Sequence, residues 1–205
     1  MFITLEGPEG SGKTSQLAPL ADFLRQQGQE VLVTREPGGT PISDQIRSVI
    51  MNLENTAMNP RTEILLFLAA RAQLVAQVIR PALEEGKMVV CDRYADSTLA
   101  YQGYGHGNDL DLLRRFLHFT TGGLLPDLTL LLDVDVEDGI RRKHSGGSEW
   151  NRMDAYTLAF HQRVRQGYLE LAHADPGRWV IIDASQPPAA VQAALRQALA
   201  RSILR

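Results

Sequence analysis

Eight residues near the N-terminus, Gly7-Pro8-Glu9-Gly10-Ser11-Gly12-Lys13-Thr14, have the types and spacing that a bound polyphosphate demands. Glycines at 7, 10 and 12 let the backbone wrap closely around an anion, so that successive N–H groups and the start of a following helix face it. The Lys13 ammonium can reach β- and γ-phosphates, and the Thr14 hydroxyl can sit on Mg²⁺. Phe2-Ile3-Thr4-Leu5 reads as a strand leading in and 14–27 as a helix leading out, the context that G-x-x-x-x-G-K-[ST] requires. The loop predicts a nucleoside triphosphate with magnesium.

Other polar residues gather where strands are expected to end. They are Thr34-Arg35-Glu36-Pro37-Gly38-Gly39-Thr40, Asp92-Arg93-Tyr94 with Ser97-Thr98, and Ala100-Tyr101-Gln102-Gly103. In an open α/β sheet the carboxyl ends of the strands form the ligand-binding edge. The chain contains no N-K-x-D and no D-x-x-G, which removes the usual guanine-reading and switch elements of a GTPase. Helicase and transporter ATPases normally need a longer chain or further modules, which leaves a small kinase as the reading.

The elements that must position these residues follow from periodicity and punctuation. Strands are expected at 2–5, 30–34, 88–91, 128–132 and 179–182, and helices at 14–27, 41–51, 60–85, 109–120, 136–143, 153–174 and 188–203. Pro81 should kink or restart the third helix, and a glycine-rich loop is expected to run to Gly107. Asp109 can cap the next helix. Five strands alternating with helices imply an α/β domain, a parallel sheet covered on both faces. With 205 residues the chain suits one domain, 1–205, with a flexible segment at about 142–152.

Composition bounds the class. Hydrophobic residues make up 44% and charged residues 22%, as in an ordinary globule, and a net charge of −3 argues against a general nucleic-acid binder. One cysteine, Cys91, excludes an internal disulfide and is expected as a buried strand residue in a reducing compartment. The N-terminus has no basic n-region or long apolar h-region and apolar runs are strand-length, so the expectation is a cytoplasmic protein with no membrane or nucleic-acid partner. Five histidines lack the spacing of a metal cluster and are expected at the surface or at helix caps.

Taken together, the phosphate loop, T-R-E-P-G-G-T at 34–40, Asp92-Arg93-Tyr94 with Ser97-Thr98, and Ala100-Tyr101-Gln102-Gly103 resemble the bacterial thymidylate kinases over nearly the whole chain. The resemblance implies a phosphate-loop nucleoside-monophosphate-kinase-like fold with a small mobile lid. It implies transfer of the ATP γ-phosphoryl group to dTMP, with Mg²⁺, on the route to dTTP. Gly7, Glu9, Gly10, Ser11, Gly12, Lys13, Thr14 and Ser15 would hold ATP, while Thr14 and Asp92 would serve the metal. Glu9 would meet the sugar 3′-hydroxyl, Phe67 and Arg71 the thymine ring and its O4, and Arg47 and Arg93 the 5′-phosphate. Ser97, Thr98 and Gln102 would line the base and acceptor site, Tyr101 would crowd the sugar 2′ side, and Glu36 with Pro37 would lie near the acceptor sugar. The i, i+4 spacing of Phe67 and Arg71 puts both on one helix face. Taken alone, Phe67 reads as a core residue and Arg71 as a solvated charge, while Arg47 reads equally as a surface ion pair or a phosphate ligand.

One departure concerns catalytic charge. Family members with glycine at position 10 usually carry a basic residue, commonly arginine, in mid-lid, where this chain has Ser148. Arg152, Arg142 and Lys143 are the candidates in that order, with Arg152 expected to close on the transferred phosphoryl. An arginine so placed can be worth about 10³ to 10⁵ in rate. Arg142 could also pack on adenine, with Asp183-Ala184-Ser185-Gln186 at its edge. A deoxynucleoside kinase, which would lack an acceptor phosphate, a kinase for a different monophosphate, and a nucleotide-dependent switch protein are the competing readings. The family is typically homodimeric, which points to the helices at 60–80 and 109–120 as an interface.

Overall fold

A computed structural model describes residues 1–145 and 150–203. Five strands, β1 (Phe2–Glu6), β2 (Val31–Arg35), β3 (Met88–Asp92), β4 (Leu128–Asp133) and β5 (Trp179–Asp183), form one parallel sheet in the order β2-β3-β1-β4-β5. The chain leaves β1 toward the β2 side, returns through β3, and crosses to β4 on the other side of β1. The direction of winding therefore reverses at β1, and the crevice at its carboxyl end is the place where such sheets bind ligands.

Alternation along the strands separates two cores. Ile3, Leu5, Val90, Leu130 and Leu132 face Leu20 and Leu24 of α1 (Lys13–Gln26) and Val191, Leu195 and Leu199 of α9 (Pro188–Ile203). Phe2, Val89, Cys91 and Leu131 face the opposite layer. That layer is built by α3 (Pro60–Leu74), α6 (Leu110–Thr121) and α8 (Leu158–Ala174), with α2 (Pro41–Met51) packed on α3. Cys91 is buried within this layer, as a strand residue should be. The run Pro60–Glu84 is long and apolar enough to cross a membrane by composition alone, yet its Ile64, Leu68, Leu74, Val75 and Ile79 are spent on the second core.

Three stretches differ from the sequence expectation. The helix at 60–85 passes from α3 through a π turn, Val75–Ile79, into α4 (Arg80–Glu84). The π turn shifts the hydrogen-bond register just before Pro81, whose missing N–H then falls in the first turn of α4, where it is tolerated. The polar stretch leading into the glycine-rich loop is helical: α5 (Ala95–Thr98) runs into a second π segment, Leu99–Gly105, so that the loop begins only at His106. Burial explains this, because Gly103 and Gly105 are the points of close approach to Leu110 and to Phe160 and Val164. The helix expected from 153 starts instead at Leu158, capped by Thr157 Oγ1, which accepts from Phe160 N. Upstream, Met153 N donates to Asn151 Oδ1 and Asn151 N donates to Asp154 Oδ2, side-chain bonds that compete with helical ones.

The histidines also need correction. His118, His144 and His173 are exposed, but His161 is fully buried and His106 is half-buried beside Glu63.

Candidate active site

Every expected site residue except Gly7, Arg152 and Asp183 lines one cavity of about 1450 Å³ at the carboxyl edge of the sheet. The phosphate loop forms its floor. Gly10 and Gly12 take φ of 68° and 87°, the left-handed region open to glycine, and Gly12 leads directly into α1. Lys13 is bent back over the loop, donating to the carbonyls of Gly7 and Pro8, each at 2.9 Å, and to Ser11 Oγ at 3.1 Å. Burial and then the Arg93 charge pull the Lys13 ammonium down to about 8. Gly7 belongs to the site through its backbone, because its carbonyl accepts from both Lys13 and Arg93.

The Thr14 hydroxyl donates to Asp92 Oδ2 at 2.9 Å, so two hard oxygen groups meet at the end of β3. That donor set fits a hard cation such as Mg²⁺, which binds through one or two protein oxygens plus substrate phosphates rather than in a full protein cage. Among the described residues no three His, Cys, Asp or Glu side chains converge on a metal position.

Arg93 occupies the middle of the cavity. Its φ of 67° is unusual for a residue with a side chain and turns the guanidinium off the end of β3 at a cost of about 1–3 kcal/mol. The group then donates to Glu9 Oε1 at 2.7 Å, Tyr101 OH at 3.0 Å, Tyr168 OH at 3.1 Å and Gly7 O at 3.0 Å. Burial alone would raise the Glu9 carboxyl, but Arg93, Lys13 and Lys143 outweigh it and hold it far below the usual range. Glu9 also accepts from Tyr101 OH at 2.8 Å. Behind Arg93, Glu6 accepts from the Ser97 and Tyr168 hydroxyls and from Tyr94 N.

The far end of the cavity is a pocket built on α3. Arg71 is buried and does not point to solvent. It ion-pairs with Glu36 at 2.6 Å and donates to Thr98 Oγ1 at 2.9 Å and to the Tyr94 carbonyl at 3.0 Å. Phe67 lies one turn earlier on the same face, half-buried, with Thr98 and Gln102 across from it on α5 and the second π segment. Arg47 reaches in from α2 and donates to the Pro37 carbonyl at 2.9 Å.

Arg152, expected to close on the transferred phosphoryl, is engaged away from the cavity. Its guanidinium ion-pairs with Glu63 at 2.6 Å, donates to the Ile50 carbonyl at 2.7 Å and to Tyr156 OH at 2.9 Å, and lies in the protein interior rather than in the cavity wall. An arginine alone there would be a buried unpaired charge, so the Glu63 carboxylate captures it. Lys143, in the last turn of α7 (Val136–Ser145), is the basic group at the cavity, 3.4 Å from Glu9 Oε2 and 2.5 Å from Asp154 Oδ1. Arg142 also lines it, donating to the carbonyls of Ala184 and Ser185, which brings together the two stretches expected around adenine. Ser148, the expected mid-lid position, lies outside the described residues.

Residue-by-residue reading missed Glu6, Glu63 and Tyr168, which hold the site from behind. A signal existed for Glu63, since Glu63, Phe67 and Arg71 recur at i, i+4, i+8 along one face of α3.

Comparison with known proteins gives a consistent answer. The thymidylate kinase family model matches residues 5–195. The thymidylate kinase of Trichlorobacter lovleyi is 50% identical, covering 97% of this chain and 96% of its own. That of Deinococcus radiodurans is 54% identical over 91% of this chain and 90% of its own. Among solved structures, the Ehrlichia chaffeensis thymidylate kinase superposes with a TM-score of 0.79 at 33% identity, covering 97% of this chain and 98% of that one.

Proposed function

This chain belongs to the thymidylate kinase family, and from that premise we propose how its cavity carries out the reaction. The enzyme transfers the γ-phosphoryl group of ATP to dTMP, giving dTDP and ADP. The observation that carries the reading is the continuity of one cavity from the phosphate loop, past Arg93, to the pocket of Phe67, Arg71, Thr98 and Gln102. Donor and acceptor nucleotides thereby meet end to end at a guanidinium.

ATP phosphates lie along the loop from Gly7 to Ser15, received by backbone N–H groups and by Lys13, which leaves the loop carbonyls it now caps. Thr14 and Asp92 would hold Mg²⁺, which would neutralise charge on the phosphate oxygens. The dTMP 5′-phosphate sits between Arg93 and Arg47, a guanidinium pair suited to a dianion. Phe67 stacks on thymine, Arg71 donates to O4, and Tyr101 closes the sugar 2′ side. Glu9 accepts from the 3′-hydroxyl and at the same time orients Arg93. Glu36 holds Arg71 in place.

The attacking atom is an oxygen of the acceptor phosphate, already anionic, so no strong general base is required. It forms a bond to the γ-phosphorus as the bond to the β–γ bridging oxygen breaks, and ADP carries away the electron pair. Catalysis comes from alignment and from charge supplied by Lys13, Arg93 and the metal. Lys143, next to Glu9 at the base of the segment 142–152, is the lid cation in this scheme, and Arg152 anchors the segment's far end. Arg142 and the loop 183–186 border the adenine.

Apolar residues exposed on α3 and α6 support a homodimer through that face: Leu65 is 59% and Phe119 85% accessible, with Leu112 at 41% and Phe116 at 39%. A single buried thiol suits the cytoplasm. The direct test uses ATP labelled in the γ-phosphate. Label recovered in dTDP, dependent on both dTMP and Mg²⁺, is the expected result. Label released only as inorganic phosphate would refute the scheme.

A further inference from the structure

Behind the base-facing wall lies a buried carboxylate that phosphoryl transfer does not use. Glu63 is 1% exposed, and both of its oxygens are engaged. Oε1 accepts from Gln102 Nε2 at 2.8 Å and lies 3.3 Å from His106 Nε2. Oε2 accepts from Arg152 Nη2 at 2.6 Å and from Tyr156 OH at 2.9 Å. Burial alone would favour the neutral acid, but the His106 ring beside it and hydrogen bonds from Gln102 and Arg152 outweigh it and bring the group down to about 2. At neutral pH Glu63 is therefore a pure acceptor.

A pure acceptor dictates the orientation of the amide beside it. The Gln102 NH₂ must face Glu63, and its carbonyl oxygen is left for the cavity that Gln102 lines with Phe67, Arg71 and Thr98. No hydrogen bond from the described residues engages that oxygen. An amide without such a neighbour could turn over and present either a donor or an acceptor.

We propose that Glu63 is a specificity-determining positioning residue: by locking the Gln102 amide with its acceptor toward the cavity, it selects a nucleobase offering a ring N–H, as thymine and uracil do at N3. A base with a lone pair there, such as cytosine, meets the Gln102 oxygen with acceptor against acceptor. The inference rests on the function proposed above, because it requires a pyrimidine monophosphate at this end of the cavity. Arg152 and Tyr156 act one step further back, fixing Glu63 itself.

Glu63→Gln tests this sharply. Arg152 and Tyr156 are donors and retain the new amide oxygen on their side, so the new NH₂ faces Gln102. Two NH₂ groups cannot share that contact, and Gln102 turns over, presenting its donors to the base. The measurement is the ratio of kcat/KM for dTMP to that for dCMP in wild type, E63Q, Q102L and E63Q/Q102L. We expect E63Q to lower the ratio by about tenfold or more, and the double variant to match Q102L, since Glu63 acts through Gln102. A merely structural Glu63 would lower Tm and turnover for both acceptors alike and leave the ratio in place. An E63Q ratio within about twofold of wild type, or a double variant displaced from Q102L as far as E63Q is from wild type, overturns the proposal. Should E63Q fail to fold, the side-chain amide of Gln102 in ¹⁵N-labelled wild-type protein decides. Protection of its NH₂ protons from solvent exchange supports the lock, and exchange at the rate of exposed amides overturns it. A wild-type enzyme with no dTMP turnover sinks the proposed function and this inference together, recognisable because no ratio exists to be lost.

Discussion

Glu6 ends the central strand buried beneath Tyr94 N and the Ser97 and Tyr168 hydroxyls, two of which also contact Arg93. Burial, and then the Asp96 charge, push its carboxyl up from 4.5 to about 7. The folded state therefore keeps a proton that the unfolded chain releases, so this stabilisation is complete below 4.5 and is lost as pH rises to about 7. The loss is on the order of 3 kcal/mol. Glu6→Gln mimics the protonated form. Urea unfolding at about pH 5 and about pH 7.5 should show wild type losing stability relative to the variant as pH rises, and parallel profiles would contradict the assignment. Glu63 has the opposite sign: its contribution is present above 4.5 and disappears as pH falls toward about 2. Arg71→Ala should raise the KM for dTMP and also strand Glu36 as a buried, unpaired carboxylate, lowering stability by about 3–5 kcal/mol. A raised KM with unchanged Tm would mean that Glu36 finds another partner. At this scale the sequence was informative wherever a residue belonged to a contiguous motif. It was silent on the partner of Arg152, which is Glu63, 89 positions away, a pairing that no local pattern contains.

The element that couples the phosphate loop to the lid is α7. Its Gly139 packs so tightly on the loop that a Cβ there would lie 2.3 Å from the Glu9 carbonyl, while a Cβ on Gly10 would run into the Gly139 backbone. Gly139→Ala must therefore push α7 off the loop and carry Lys143 away from Glu9. We expect kcat to fall with little change in the KM for dTMP, and an unaltered kcat would show that the contact is dispensable. Lys143→Met should lower kcat by about 10² to 10³, the range typical of losing one charge-stabilising donor. Arg152→Met should chiefly lower Tm. The reverse pattern would restore Arg152 as the lid cation. Strand positions were legible from sequence because apolar runs bounded by turns have few alternatives. The start of α8 and the second π segment were not, because Asn151 and Asp154 side chains and the packing of Gly103 and Gly105 decide them.

For the molecule as a whole, the reversal of winding at β1 brings four distant stretches to one edge, and the order β2-β3-β1-β4-β5 that does so could not be read from strand count alone. The same packing leaves α3 and α6 side by side with an apolar outer face, of which Phe119 is the most exposed large residue. Sedimentation should give a dimer for the wild type and a monomer for Phe119→Glu, and a wild-type monomer at micromolar concentration would exclude that interface. Acceptor choice decides the question, because the pocket of Phe67, Arg71, Thr98 and Gln102 shares one cavity with the phosphate loop and with Arg93, which donates to Gly7 and Glu9. The most direct measurement is coupled ADP release with ATP and Mg²⁺ against dTMP, dUMP, UMP, dCMP and thymidine. Turnover greatest with dTMP is the predicted result. Turnover with thymidine alone, or ADP release independent of any acceptor, would contradict it.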